Sequence, residues 1–261
     1  MRPTNYPNLI AQMTLTEFKL KYAGSVLGYF WSLVKPLLFF AVLYLVFTLV
    51  FKLGKGVPNY PVYLLAGVVT WTFFIEATLN GMNSIVSRGD LIRKINFPKL
   101  TIVVSATLTS LLTFVLNFVA VFFFLVISKI IPILSILFLP LLILELLLFV
   151  LGIGLILTTL YTKFRDFSHI WELALQVLFY ATPILYPVDL VPERFKQIVM
   201  INPLAQIIQD IRWSLISHKV TTSWEVLGPV LGLLPVLIVA IVFLFGLWVF
   251  SAQAKNFAEE I

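Results

Sequence analysis

The sequence predicts an all-α membrane protein. Six transmembrane helices follow an N-terminal amphipathic helix at the membrane interface, and short external helices lie between spans five and six. Three observations carry this. The 261 residues are 61% hydrophobic and 11% charged, against about 45–50% and about 25% in an ordinary soluble domain. The excess falls in runs such as 100–128 and 133–161, longer than a buried core helix needs. The 18 Lys and Arg residues collect mainly in the segments between such runs, where they read as topology signals rather than as a nucleic-acid surface. A soluble domain, a disordered chain and a fibrous repeat are excluded, and residues 1–261 read as one transmembrane domain. Cys is absent, which removes disulfides, thiolate nucleophiles and Cys metal sites. His169 and His218 lie too far apart for zinc spacing.

In chain order, residues 1–35 precede the first span. Ala11, Leu15, Phe18, Tyr22 and Val26 recur at spacings of 4, 3, 4 and 4, which makes one helical stripe. Glu17 and Lys21 stand four apart in the favourable order for a helix pair. This is an amphipathic helix on the membrane surface. A spanning helix needs about 20 mainly apolar residues. Six runs qualify: 37–51, 60–79, 100–128, 133–161, 170–186 and 227–251. The first is short unless its helix begins before Pro36, near Trp31. The third and fourth exceed the bilayer and must tilt or protrude. No cleavable signal peptide is expected, because the first strongly apolar run starts near residue 36.

Six spans place both termini on one side. One set of connecting segments carries eleven Lys and Arg residues and the other seven, four of them in the long 187–226 segment with balancing acids. The positive-inside rule therefore puts the N- and C-termini in the cytoplasm. The 81–99 loop, GMNSIVSRGDLIRKINFPK, mixes Ile92, Ile95 and Phe97 with Arg88, Asp90, Arg93, Lys94 and Lys99, a surface suited to docking a protein. A second cytoplasmic loop holds Lys163, Arg165 and Asp166, the last two placed to cap or pair at helix ends. The external 187–226 segment has Pro187, Pro192 and Pro203 around two apolar stretches, 195–201 and 204–216, neither long enough to cross. They read as two short helices dipping into the outer leaflet, with Phe195 on the first and Arg212 on the second. Their free backbone groups must then be covered by protein or water.

At these residues the chain resembles a known family. KYAGSVLGYFWSLVKPLLF (21–39), KINFPK (94–99), KFRDF (163–167), TPILYP (182–187) and INPLAQIIQDIR (201–212) are similar, in order and over nearly the whole chain, to permease subunits of bacterial ATP-binding-cassette polysaccharide exporters of the O-antigen and teichoic acid type. The resemblance implies six spans, an interfacial helix, a coupling helix in 81–99 and external gate helices in 187–226. It also implies a homodimer working with two copies of a separate cytoplasmic ATPase subunit in the bacterial cytoplasmic (inner) membrane, with lipid around it. The expected substrate is a lipid-linked glycopolymer, an O-antigen-like glycan on polyprenyl diphosphate, or alternatively a wall teichoic acid. No G-x-x-x-x-G-K-[ST] cradle exists in the chain, whose only Gly–Lys pair is Gly54–Lys55. ATP and Mg are therefore expected on the partner, and no cofactor or metal on this chain.

Within that frame, Phe30, Trp31, Tyr63, Trp71 and Phe74 are candidate channel aromatics. Flat rings stack on sugar C–H faces without demanding one sugar, although Trp and Tyr also belt most membrane proteins. Glu76 and Glu145 lie in or beside apolar runs, where a charge costs at least about 2.5–3.5 kcal/mol and must face protein or water. A wet channel wall or interhelical hydrogen bonds both meet that need. Arg88, Arg93 and Lys94 suit a lipid diphosphate, an ATPase contact or simple charge topology. A polyprenyl-phosphate transferase would gather carboxylates at the membrane face, whereas Asp90 and Asp166 have no second acid close in sequence. A secondary transporter would show repeated halves, and none is visible.

Overall fold

The computed structural model describes residues 6–21, 23–25, 28–52, 57, 59–94, 98–130 and 134–260. Among these there are helices and connecting turns and no strand. The helices are α1 (Tyr6–Lys21), α2 (Phe30–Leu45), α3 (Tyr60–Asn83), α4 (Gly89–Lys94), α5 (Leu100–Ile127), α6 (Leu139–Lys163), α7 (Phe167–Ala181), α8 (Glu193–Ile201), α9 (Pro203–Leu215), α10 (Ser223–Leu231), α11 (Leu234–Gln253) and α12 (Phe257–Glu260). Five helical stretches are long and apolar enough to cross a membrane: Phe30–Val50, Tyr60–Asn83, Leu100–Ile127, Leu134–Lys163 and Leu234–Gln253.

Three boundaries differ from the sequence expectation, each for a local reason. The first span starts at Phe30 and runs through Pro36, which is buried inside α2. A proline within a membrane helix is tolerated when its surroundings satisfy the freed carbonyl. The run expected over 170–186 is α7, only 15 residues long, or about 22 Å at 1.5 Å per residue. Thr182 after it is extended, as a residue preceding proline prefers, and Pro183 cannot continue the ladder. The last span was expected from 227. Instead α10 breaks at Gly228, whose φ is +77°, beside Pro229, and the straight helix begins at Leu234.

The centre of the bundle is α3, with 17 of its 24 residues buried against α5 and α6. Lipid gives no hydrophobic drive between helices, so close backbone approach and buried hydrogen bonds must hold them. A Cβ on Gly81 would come within 3.2 Å of Gly154 Cα. Beside that crossing, Thr158 Oγ1 donates to the Gly81 carbonyl at 2.8 Å. At the α6–α11 crossing a Cβ on Gly152 would sit 2.7 Å from Phe243 Cα, and one on Gly246 would strike the Gly152 carbonyl.

The placement of α1 inverts the usual logic of an amphipathic helix. Ala11 and Leu15 of the expected stripe are exposed, and Tyr22 and Val26 lie outside the described residues. The polar side meets α5, where Ser105 Oγ donates to Glu17 Oε1 at 3.1 Å and Thr109 Oγ1 to the Thr14 carbonyl at 3.3 Å. Glu17 and Lys21 do not pair with each other as their spacing suggested. Glu17 takes Arg88 as its ionic partner and Lys21 takes Glu76.

Candidate functional site

A groove runs between α2, α3 and α7. Its first part, about 390 Å³, is lined by Lys21, Trp31, Ser32, Lys35, Thr72, Glu76, Thr113 and Asn117. Its second part, about 600 Å³, shares Lys35, Pro36 and Thr72 and continues past Phe39, Trp71, Ile75, Gln176, Phe179 and Tyr180. One end is thus polar and charged and the other aromatic. At the polar end Lys21 Nζ donates to Glu76 at 2.6 Å and to Thr113 Oγ1 at 3.1 Å. Asn117 is buried, and its Oδ1 has no partner. At the aromatic end the Trp71 and Phe179 centroids are 5.5 Å apart, those of Phe39 and Phe179 6.0 Å, and those of Phe179 and Tyr180 5.2 Å.

The five aromatics singled out in the sequence are not brought together. Trp31 and Trp71 line the groove. Phe30 is exposed on the surface of the chain. Phe74 packs behind Trp71 against Phe149 and Trp171. Tyr63 lies at a different place, under Arg212. Phe39 was missed, although Pro36, Phe39 and Leu43 at spacings of three and four mark one face of α2.

Arg212 of α9 is fully buried. Its Nε donates to the Tyr63 carbonyl at 3.0 Å. Nη1 donates to the Pro183 carbonyl and to Gln209 Oε1, each at 2.7 Å, and Nη2 to the Ile184 carbonyl at 2.7 Å. The guanidinium lies 3.5 Å from the Tyr63 ring centre. It ties the TPILYP turn to α3, and Gly67 of α3 leaves the room for it. Pro203 is buried in the first turn of α9, where its missing N–H costs nothing. Asn202 Oδ1 caps that helix by accepting from Leu204 N at 3.0 Å. Pro187 leads into a single helical turn and Pro192 into α8, on which Phe195 is exposed beside Arg194.

At the α3–α4 turn Arg88 faces Glu17, while Asp90 and Arg93 are exposed. Ile92 is turned inward, 6% exposed, among Ile85, Ile102, Val103, Leu155, Phe250 and Phe257. It is a core residue of this chain, not part of an outer docking face. Lys94 ends α4, and Ile95 and Phe97 lie outside the described residues. Lys163, Arg165 and Asp166 are all exposed. Arg165 covers the Tyr161 ring at 5.2 Å and Lys163 the Phe164 ring at 5.5 Å, and the Asp166 side chain makes no cap hydrogen bond to α7.

Glu145 of α6 meets α9. Gln206 Nε2 donates to Asp210 at 2.6 Å and reaches Glu145 at 3.5 Å. Burial pushes the Asp210 carboxyl up to about 6. Gln206 and Asp210 are four apart in INPLAQIIQDIR, a spacing that signalled one helix face. Among the described residues no group of three or more His, Asp or Glu is arranged to hold a metal.

The pattern of the ABC-2 type transporter family matches residues 8–216. The chain is 31% identical over 253 residues to an O-antigen export system permease protein RfbA of Klebsiella pneumoniae, covering 97% of this chain and 94% of that one. A second Klebsiella pneumoniae protein of that name is 34% identical over 202 residues, 77% of each chain. One from Myxococcus xanthus is 28% identical over 262 residues, 98% of this chain and 96% of the relative. This multi-pass, all-helical membrane chain belongs to the ABC-2 type transporter family.

Proposed function

We propose that this chain is the membrane half of an ATP-driven exporter that moves a lipid-linked polysaccharide, an O-antigen-like glycan on a polyprenyl diphosphate, out across the bacterial cytoplasmic membrane. It acts as a homodimer on two copies of a separate ATPase subunit, which supplies ATP and Mg. The N- and C-termini face the cytoplasm, as the Lys and Arg distribution requires. The sixth crossing is α7 completed by the stretch through Tyr186, and α8 and α9 form the external gate. The similarity to O-antigen export system permeases supports this reading.

The observation that carries it is the groove. Its charged mouth, with Lys21 and Lys35, suits a diphosphate at the cytoplasmic leaflet, because compact ammonium groups bind phosphate as point charges. Its aromatic half offers the exposed rings of Phe39 and Tyr180 to sugars, with Trp71 and Phe179 packed behind them. A sliding polymer needs contacts that are weak and repeated, and ring stacking supplies these without a deep well. Trp31 stands at the mouth, while Phe74 supports the wall from behind and Tyr63 stands apart under Arg212. Asp90, Arg93 and the Lys163–Asp166 loop meet the ATPase.

The test is co-expression with an ATP-binding-cassette ATPase subunit. The two proteins should co-purify, and vanadate-sensitive hydrolysis should require both. Lys35→Glu should cut surface polymer while leaving the complex intact. ATP turnover by the permease alone, or full export by Lys35→Glu, would overturn the reading.

A further inference from the structure

A second cavity, about 530 Å³, lies away from the groove, between α6, α9, α10 and α11. Its polar floor consists of Glu145, Gln206 and Asp210. Gln206 is 3% exposed, and its one NH₂ group is shared by both carboxylates. Gln206 Oε1 and Glu145 Oε1 are buried without any partner. Among the described residues no Lys, Arg or His forms an ion pair with Glu145 or Asp210. The site therefore holds acceptors in excess of donors, and its two carboxyl groups have no counter-charge. Buried acceptors and charges of this kind are normally paired.

We infer that this cavity receives the primary ammonium of an amine-headed phospholipid. An ammonium carries three N–H donors and one positive charge, which answers the two unpartnered oxygens and the uncompensated carboxylates together. Trp213 and Trp224 line the same space, and indole faces attract a cation. Among the described residues neither indole N–H has a hydrogen-bond partner, so both are able to donate to the lipid's phosphate or ester oxygens. Thr222 and Glu225 also line the cavity, and the remaining walls are Phe138, Leu141, Leu142 and Val236, of which Phe138, Leu141 and Val236 are 56%, 60% and 40% exposed. They run into the exposed apolar faces of α6 and α11, where acyl chains lie against a membrane helix. Glu145 is six residues, or about 9 Å, from the start of α6, in the first half of the Leu134–Lys163 stretch.

The test is native mass spectrometry of the purified permease in detergent. Dioleoyl phosphatidylethanolamine would be offered beside dioleoyl phosphatidylcholine, whose quaternary ammonium has the charge and the same chains but no N–H. The ethanolamine lipid should be retained about tenfold over the choline lipid, and Glu145→Gln should erase most of that preference with elution and helix content unchanged. Free ethanolamine at millimolar concentration should not displace the lipid. Equal retention of the two lipids, an unchanged preference in Glu145→Gln, or displacement by free ethanolamine, sodium or a neutral sugar would overturn the proposal. Should Glu145→Gln fail to fold, Trp224→Ala at the exposed rim of the cavity replaces it, with the same loss expected, and an unchanged preference would count against the site.

Discussion

Replacing Arg212 with Met should loosen the TPILYP turn from α3. The guanidinium donates four hydrogen bonds, three of them to backbone carbonyls. Charge-assisted bonds contribute about 1.5–3 kcal/mol each, so four amount to about 9 kcal/mol at mid-range. Removing a buried charge that has no carboxylate among these partners recovers several kcal/mol of desolvation. Taking that term as about 5 kcal/mol leaves about 4 kcal/mol of net destabilisation. In a chain of this size such a loss lowers the melting temperature by roughly 8–16 °C. Lysine should be no better, since one nitrogen cannot reach three separated carbonyls. Gly67→Ala attacks the same contact from the other side: its Cβ would run into the guanidinium and come within 3.2 Å of the Ile184 oxygen. The two substitutions should therefore be strongly non-additive. Scanning fluorimetry of the purified protein reads both. A melting temperature for Arg212→Met within about 2 °C of the parent, far below that shift, or full additivity with Gly67→Ala, would refute the reasoning.

Three further outcomes are expected. Gly246→Leu should prevent α6 and α11 from crossing at a cost of about 3 kcal/mol or more, seen as loss of the monodisperse peak in detergent; a normal elution profile would show that the crossing can spread. Asp90→Lys with Arg93→Glu should abolish ATPase co-purification and keep the permease folded, whereas Ile92→Asp should lose the folded protein itself at about 4 kcal/mol. Retained ATPase binding in the first variant would remove α4 from the contact. Trp31→Phe should keep more surface polymer than Trp31→Leu, because a sugar C–H face prefers a flat ring, and equal export by the two would leave the ring a packing element only.

Five of the six expected spans were legible because bilayer thickness forces long apolar runs onto the sequence, and no tertiary information is needed to see them. Their ends were less so. The stop of α7 at Pro183 and the break at Gly228–Pro229 are written in single residues that a composition reading averages away. The inward turn of Glu17 and Lys21 could not be read from α1 alone. Its cause is the Ser105, Thr109 and Thr113 face of α5, some 90 positions further on. Ile92 shows the same gap: an isoleucine among charges in a short loop looks like a docking residue until Phe257 arrives from the C-terminal end to cover it. The groove was legible only as residue types. Trp31 and Trp71 are far apart in sequence, and it is the packing of α2 against α3 that sets both beside one space.

The inward-facing polar edge of α1 has a mechanical consequence. Glu17 holds Arg88 at the base of α4, and Lys21 holds Glu76 at the groove mouth. The two grips are four residues apart, about 6 Å along one stiff helical turn. Helix bending over so short a length is negligible, so α1 behaves as a tie-rod between the loop that would feel a partner and the place where a substrate would enter. A push on Arg88 reaches Lys21 undiminished in amplitude unless one of the two ion pairs yields. Because each pair is only part-buried, its grip weakens with ionic strength. The tightness of that link is therefore adjustable by salt.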